Sequence, residues 1–306
     1  MLVAGVIENI ITVNKMFKML PFDGIDGNAI AYNREAILGG GGVGTVNDSI
    51  TTDVSDPTES DANNAKDPAT FDFHTAALTS IIADAEVNGL IEATRSGFGN
   101  DQKATQVASK AKKVGRIYQQ MLINGTGAGA QFTGLLGLCA SGQKVDTGVD
   151  GSSLTFEILD ELIDLVTDKD GDVDYFTLHA RTLRKYFSLL RALGGASINE
   201  TVAMPDGMMV PAYRSIPLFR NDWIPKNVTK GNQTASTSYV IAGTFDDGSR
   251  THGIAGLTAS NAAGIKVVEV GEKEDADATI TRIKWYCGLA LFSEKGLALA
   301  DGIRST

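Results

Sequence analysis

The chain is short of the residues from which most catalytic and metal sites are made. It carries two cysteines and three histidines in 306 residues. Cys139 and Cys287 cannot build a disulfide framework, which points to a reducing compartment. His74, His179 and His252 lie far apart, and none stands in an H-E-x-x-H or paired-cysteine spacing, so no metal is expected. Neither a G-x-S-x-G nucleophile elbow nor a G-x-x-x-x-G-K-[ST] phosphate loop occurs. No cofactor and no enzymatic activity are expected. Long apolar runs are also missing: no stretch of 18 such residues exists, so no helical membrane span is expected. The N-terminal MLVAGVIENIITVNKMFKML lacks a basic start and a small-x-small cleavage site, and Glu8 interrupts it, which argues against a signal peptide. Positive charge is scarce too, with 27 basic against 37 acidic residues and a net charge of −10. Phosphate binding needs a basic field, so the surface as a whole is not built to grip nucleic acid, and any such contact has to be local.

What is present suffices for a large core. Apolar residues make up 43% of the chain and charged residues 21%, which rules out wholesale disorder. Residues 1–20 read as an amphipathic segment, with Val3, Val6, Ile7, Ile10 and Phe17 on one side at helical spacing. A strand-like run follows at 28–38. Residues 39–70 then hold GGGGVG, two prolines and six acids against one base, Lys66. Loops beyond about 15 residues are functional or disordered more often than not. The run 70–82 returns as a strand, with Phe71, Phe73 and Ala77 alternating, so 25–80 reads as an extended hairpin that leaves the body.

The strongest helix signal lies at 100–123. Val107, Ala111, Val114, Tyr118 and Met121 recur in steps of four and three and make one apolar stripe. Across from it stand Lys103, Lys110, Lys112, Lys113 and Arg116, with no acid from 102 to 123. Such a stripe is ordinarily a solvated face; a contact with an acidic partner surface or with nucleic acid are the two alternatives. Asn124-Gly125 terminates the helix. Further helices are expected at 155–167 and 180–192, with a short strand, Asp174 to His179, between them. The C-terminal part is β: strands at Lys266 to Val270 and Thr279 to Phe292 around an acidic tip at 272–278, then a last strand at Gly296 to Ala300.

Three motif-like stretches carry little chemistry. GGGGVG at 39–44 matches G-x-G-x-x-G but runs into an acidic, proline-bearing loop rather than a helix. The stretch 125–129, GTGAG, follows a helix instead of opening one. DKDGDVD at 168–174 resembles a calcium loop, yet neither possible register puts glycine at position 6 and glutamate at position 12. What remains is a body with arms, whose apolar residues call for a second copy to complete their burial.

This order of parts, with NGTGAGAQFTGLLGL at 124–138, DYFTLHARTLRKYFSLL at 174–190, VPAYRSIPLFRNDWIP at 210–225 and IAGTFDDG at 241–248, resembles the major capsid proteins of tailed bacteriophages. The resemblance implies an α+β, Hong Kong 97-type fold. Its parts would be an N-arm at 1–24, an E-loop at 25–80, a P domain at 81–150 and 260–290, and an A domain at 151–259 and 291–306. The spine helix at 100–123 and the long hairpin at 265–292 would belong to the P domain. It implies self-assembly as pentamers and hexamers into an icosahedral shell around double-stranded DNA, held without sequence specificity, in a virion assembled in the host cytoplasm. Scaffold, portal and cement or decoration proteins become candidate partners, and no membrane is involved. Candidate inter-subunit contacts are Val6, Ile10, Phe17, Arg34, Lys66, Glu272, Glu274, Asp275 and Asp277, with the basic stripe as a possible acceptor for the acidic tip. Some relatives cross-link an E-loop lysine; nothing in the surroundings of Lys66 carries that chemistry over. Two other readings stay open: an encapsulin-like compartment with the same fold, and a soluble α+β enzyme using His179 or His252 with nearby acids.

Overall fold

A computed structural model describes residues 15–37, 70–95, 102–168, 171–194, 200–205 and 207–304. The elements in chain order are α1 (Lys15–Met19), β1 (Phe22–Ile25), β2 (Ala29–Ile37), β3 (Thr70–Ala77), β4 (Thr79–Asn88), α2 (Gly89–Arg95) and α3 (Gln102–Asn124). Next come α4 (Leu135–Leu138), β5 (Lys144–Val145), β6 (Ser152–Ser153), α5 (Phe156–Thr167), β7 (Tyr175–Leu178), α6 (Ala180–Ala192), β8 (Thr201–Ala203), β9 (Met209–Tyr213) and β10 (Ile216–Arg220). The chain ends in β11 (Val228–Lys230), β12 (Gln233–Gly243), β13 (Ile254–Ala259), β14 (Ile265–Lys273), β15 (Ala276–Leu291) and β16 (Leu297–Arg304). By internal contacts there are two compact units, one spanning 30–75 and the other the remainder.

The large unit holds two sheets. The first has the order β1-β13-β15-β14, with β4 along the other part of β15. The second has nine strands, β5-β16-β12-β7-β10-β9-β8, with β11 on β12 and β6 on β16. Its central strands are buried on both faces, and their period of two divides the core. Tyr175, Phe219, Ile241, Leu297 and Leu299 join a cluster with α3 and the first sheet. Their neighbours Phe176, Leu178, Leu218, Val240 and Ala298 join a second cluster under α5 and α6. α5 buries Ile158, Leu159, Leu162 and Val166, and Thr155 caps it by accepting from the Ile158 amide at 3.4 Å.

α3 lies on the first sheet through the stripe read from sequence: Val107, Ala111, Val114 and Tyr118 are fully buried. The stripe meets an aromatic cluster. The Tyr118 ring is 4.5 Å from Trp285, 5.5 Å from Phe132, 5.6 Å from Phe17 and 5.9 Å from Phe22. β15 buries Thr281, Ile283, Trp285, Cys287 and Leu289, which alternate along one face.

Several expectations need correction. Of the N-terminal arm, the described part is not an arm without local neighbours: Met16 and Leu20 are core residues, and β1 pairs in parallel with β13, Phe22 opposite Gly256. A Cβ at Gly256 would sit 2.7 Å from the Phe22 ring, so the missing side chain makes room for it. The return run 70–82 is two strands. β3 pairs with β2 in the small unit, whereas β4 pairs with β15 over ten residues and belongs to the body. Strand 254–259, placed with the A domain, is part of the long hairpin's sheet, and β5, placed with the P domain, pairs with β16 in the other. The acidic tip is mostly strand: Glu272 and Lys273 lie in β14 and Asp277 in β15, because β15 starts at Ala276. The last strand continues to Arg304.

The glycines after α3 form a close backbone crossing rather than a hinge. The Gly134 amide donates to the Gly125 carbonyl at 2.9 Å. A Cβ on Gly134 would lie 2.5 Å from the Met121 carbonyl oxygen and 2.6 Å from the Gly125 nitrogen. Backbone cannot yield as a side chain can. Gly134→Ala is therefore expected to destabilise the protein by at least the roughly 1–3 kcal/mol of ordinary overpacking, read as a lower urea midpoint. Gly142→Ala, where the added Cβ meets nothing within 4 Å, is the control and should leave the midpoint within error.

Candidate assembly surfaces

The candidate contact residues fall in four places. Val6, Ile10 and Lys66 lie outside the described residues, as does GGGGVG. Phe17 sits on α1, half-buried, 5.5 Å from Phe22 and 6.1 Å from Trp285, so its ring is engaged within its own chain. Arg34 lies on β2 in the small unit. Its guanidinium is 5.6 Å from the Tyr32 ring centre, and Nη1 is 3.5 Å from Nε2 of His74, whose ring stacks on Tyr32.

The described residues of that small unit lie in a two-stranded sheet, β2 with β3. An isolated hairpin is marginal in water, since it has one row of ladder bonds and no second layer. Alternation at Phe71 and Phe73 normally signals a buried face, yet here the two rings are 60% and 69% exposed. Two large aromatics left open on a marginal hairpin define a surface in need of a cover. The alternation was legible; that nothing among the described residues covers it was not.

Glu272, Glu274, Asp275 and Asp277 are all exposed at the end of the long hairpin. Lys273 stands among them, 3.7 Å from Asp275 and 3.6 Å from Glu86 on β4. The tip is thus partly neutralised from within its own chain, which sequence reasoning missed because Glu86 is remote in sequence. The face of this sheet away from α3 carries Asp84 and Arg282, paired by two bonds of 2.8 and 2.9 Å. The hydrogen-bonded Arg282 guanidinium foremost holds the Asp84 carboxyl below the usual range; burial opposes it, and the charges of Arg282 and, last, Lys110 add to the lowering. Ile82, Val268 and Val270 on the same face are exposed.

The basic stripe divides. Lys103 pairs with Glu269 on β14, and Lys110 is close enough to Asp84 to act on its titration. Lys112, Lys113 and Arg116 are exposed. Arg116 lies 5.8 Å from the ring centre of Trp223.

The residues singled out for chemistry are used structurally. Both cysteines are buried free thiols; burial pushes Cys139 up to about 11 and Cys287 further, so neither is a thiolate at neutral pH. Asp174 accepts from the Phe245 amide at 2.7 Å, fixing the turn before β7 to the end of β12. His179 is the N-cap of α6: its Nδ1 accepts from the Arg181 amide at 3.1 Å. Burial lowers its pKa, with Asp222 opposing and Lys226, Arg181 and Arg220 adding to the shift. A folded-state pKa below the unfolded value makes this contribution full above about pH 6.5 and lost as pH falls through the folded value. Protonation also removes the acceptor. The melting temperature of the wild type should therefore fall more between pH 7 and pH 5 than that of His179→Asn, which keeps a cap without titrating; equal falls would refute the assignment. His179→Ala should cost about 1 kcal/mol at pH 7. Among the described residues no cluster of three potential metal ligands occurs, and no helix is long and apolar enough to cross a membrane.

No family model and no curated protein matches the chain. Solved structures do. The encapsulin of the holo-SrpI complex from Synechococcus elongatus PCC 7942 is similar at TM-score 0.71 and 19% identity, over 95% of this chain and 88% of that one. The capsid of a native GTA particle is similar at TM-score 0.62 and 14% identity, over 94% and 89%. The virus-like particle from Pyrococcus furiosus is similar at TM-score 0.57 and 9% identity, over 98% and 97%. The chain has the α+β, Hong Kong 97-type fold of these capsid and encapsulin subunits. The likeness runs almost end to end in both chains of each pair.

Proposed function

We propose that this chain is a shell-forming structural protein, a major capsid protein whose copies assemble as pentamers and hexamers into an icosahedral container for double-stranded DNA. The observation that carries the reading is the end-to-end likeness to subunits of an encapsulin, a GTA capsid and a virus-like particle, at 88–97% coverage of those chains. The small unit supports it, since Phe71 and Phe73 find cover once a second copy lies against the hairpin. In this reading the hairpin is the E-loop, α3 the spine helix, the β14–β15 hairpin part of the P domain, and the nine-stranded sheet with α5 and α6 the A domain. The acidic tip and Lys273 then meet neighbouring copies, and assembly takes place in the host cytoplasm before the virion is complete. The chain's role is structural, not enzymatic.

Size-exclusion chromatography of the purified chain tests this. Elution in the megadalton range supports it, and a 32.3 kDa monomer at all concentrations contradicts it. One observation favours a second use of the same fold: the encapsulin is more alike, at TM-score 0.71, than the GTA capsid at 0.62. A protein compartment would enclose protein, and a virus shell nucleic acid, so the contents of purified particles separate the two.

A further inference from the structure

The outward face of α3 is unusual for this acidic chain. Gln106, Ser109, Lys112, Lys113, Arg116 and Gln120 are all exposed; Gln106, Ser109, Lys113, Arg116 and Gln120 recur in steps of three and four along one side of the helix, with Lys112 beside Lys113. None is acidic and none is apolar. The inner-lying cations of the same helix have carboxylates to act on, Lys103 with Glu269 and Lys110 near Asp84. Lys112 and Lys113 make no ion pair with any of the described residues. Among the described residues no carboxylate pairs with Arg116. It lies over Trp223, whose carbonyl accepts from Asn124 Nδ2 at 2.7 Å and whose amide donates to Asn221 Oδ1 at 3.0 Å. The ring is a fixed platform, and the guanidinium keeps its donors for something outside the molecule.

We propose that this face binds the sugar-phosphate backbone of a nucleic-acid duplex. A protein partner would be expected to meet apolar or aromatic side chains at the centre of its contact, and this stripe presents none on its surface. Lysine, arginine, serine and glutamine are donors, the set that contacts phosphate oxygens, and contacts to phosphate and sugar carry no sequence information of their own. Binding is therefore independent of sequence. A helix of 23 residues is about 35 Å long, close to one turn of a duplex, so the stripe can lie along the backbone. The net charge of −10 repels DNA elsewhere and confines the contact to this face. The proposal rests on the shell reading for one point, that this face lines the interior; whether the face binds a duplex does not depend on it.

The test uses the full chain as unassembled subunits and a fluorescent 30-base-pair duplex, with anisotropy read from 50 to 200 mM salt. Three phosphate contacts give a slope of about −2.7 in log affinity against log salt, a weakening of about 40-fold over that range. The variant Lys112→Gln/Lys113→Gln/Arg116→Gln should lose most of that slope and bind at least 10-fold more weakly at 50 mM salt. Its thermal melt should fall by no more than a few degrees, since all three side chains are exposed and only the contact of Arg116 with Trp223 is lost. Equal affinity and slope in the two proteins would overturn the proposal. So would tighter binding of polyglutamate than of the duplex, which would assign the face to an acidic protein. In parallel, nuclease-treated particles of the wild type should protect several-fold more nucleic acid per subunit than those of the variant. If neither protein makes particles, the shell reading fails while the anisotropy still decides the stripe.

Discussion

Deleting residues 40–68 is expected to leave a folded body that no longer makes stable shells. Both hydrophobic clusters lie outside the 30–75 unit, and β4 remains tied to β15 over ten residues, so the body keeps its core. A milder version acts on the described residues. Phe71→Ser/Phe73→Ser removes two rings that are 60% and 69% exposed in the single chain. If a neighbouring copy buries them, the loss is roughly 2–4 kcal/mol per subunit, and the concentration needed for assembly rises by roughly two orders of magnitude. Analytical ultracentrifugation over a concentration series measures this. Unchanged particles from both variants would show that the hairpin is not a subunit contact.

The second large effect is on folding. Tyr118→Ala is expected to cost about 3–5 kcal/mol, because the ring is fully buried among Phe17, Phe22, Phe132 and Trp285, and a helix packed along its length on a sheet closes only partly over the space left. Against a total stability of about 5–15 kcal/mol, such a loss shows as a large drop in the urea midpoint. Tyr118→Phe is the control. The phenol donates to the Gly288 carbonyl only at 3.5 Å, and burial pushes its pKa well above the ordinary value, so it stays neutral. Loss of so long a bond should cost less than about 1 kcal/mol. A Phe variant as unstable as the Ala variant would mean that the hydroxyl, not the ring, holds the site.

Much of this architecture could be read from local pattern. α3 was legible because Val107, Ala111, Val114 and Tyr118 keep helical period over several turns, and β15 because Ile283, Trp285, Cys287 and Leu289 alternate. The unit from β7 to α6 was legible as a short strand leading into a helix, but the cap that His179 makes was not. What local pattern misses is pairing between distant segments. β1 joins β13 across more than 230 residues, and the only local trace is the absence of a side chain at Gly256. The boundary between β3 and β4 is equally silent, since Thr70–Asn88 is strand-forming throughout and only pairing partners tell the two strands apart. The ion pair at the acidic tip was hidden for the same reason: its lysine and Glu86 meet only once β4 lies beside the hairpin. Of the candidate surfaces, the basic stripe was visible as a run of like charge, but which of its cations are free depends on Glu269 and Asp84, remote in sequence.

The central claim is that copies of this chain close into a shell, and negative-stain electron microscopy of the purified wild-type protein tests it most directly. Round, closed particles of uniform diameter, absent from the 40–68 deletion, are the expected result. A field of small, unassembled subunits across protein concentration and salt would contradict it.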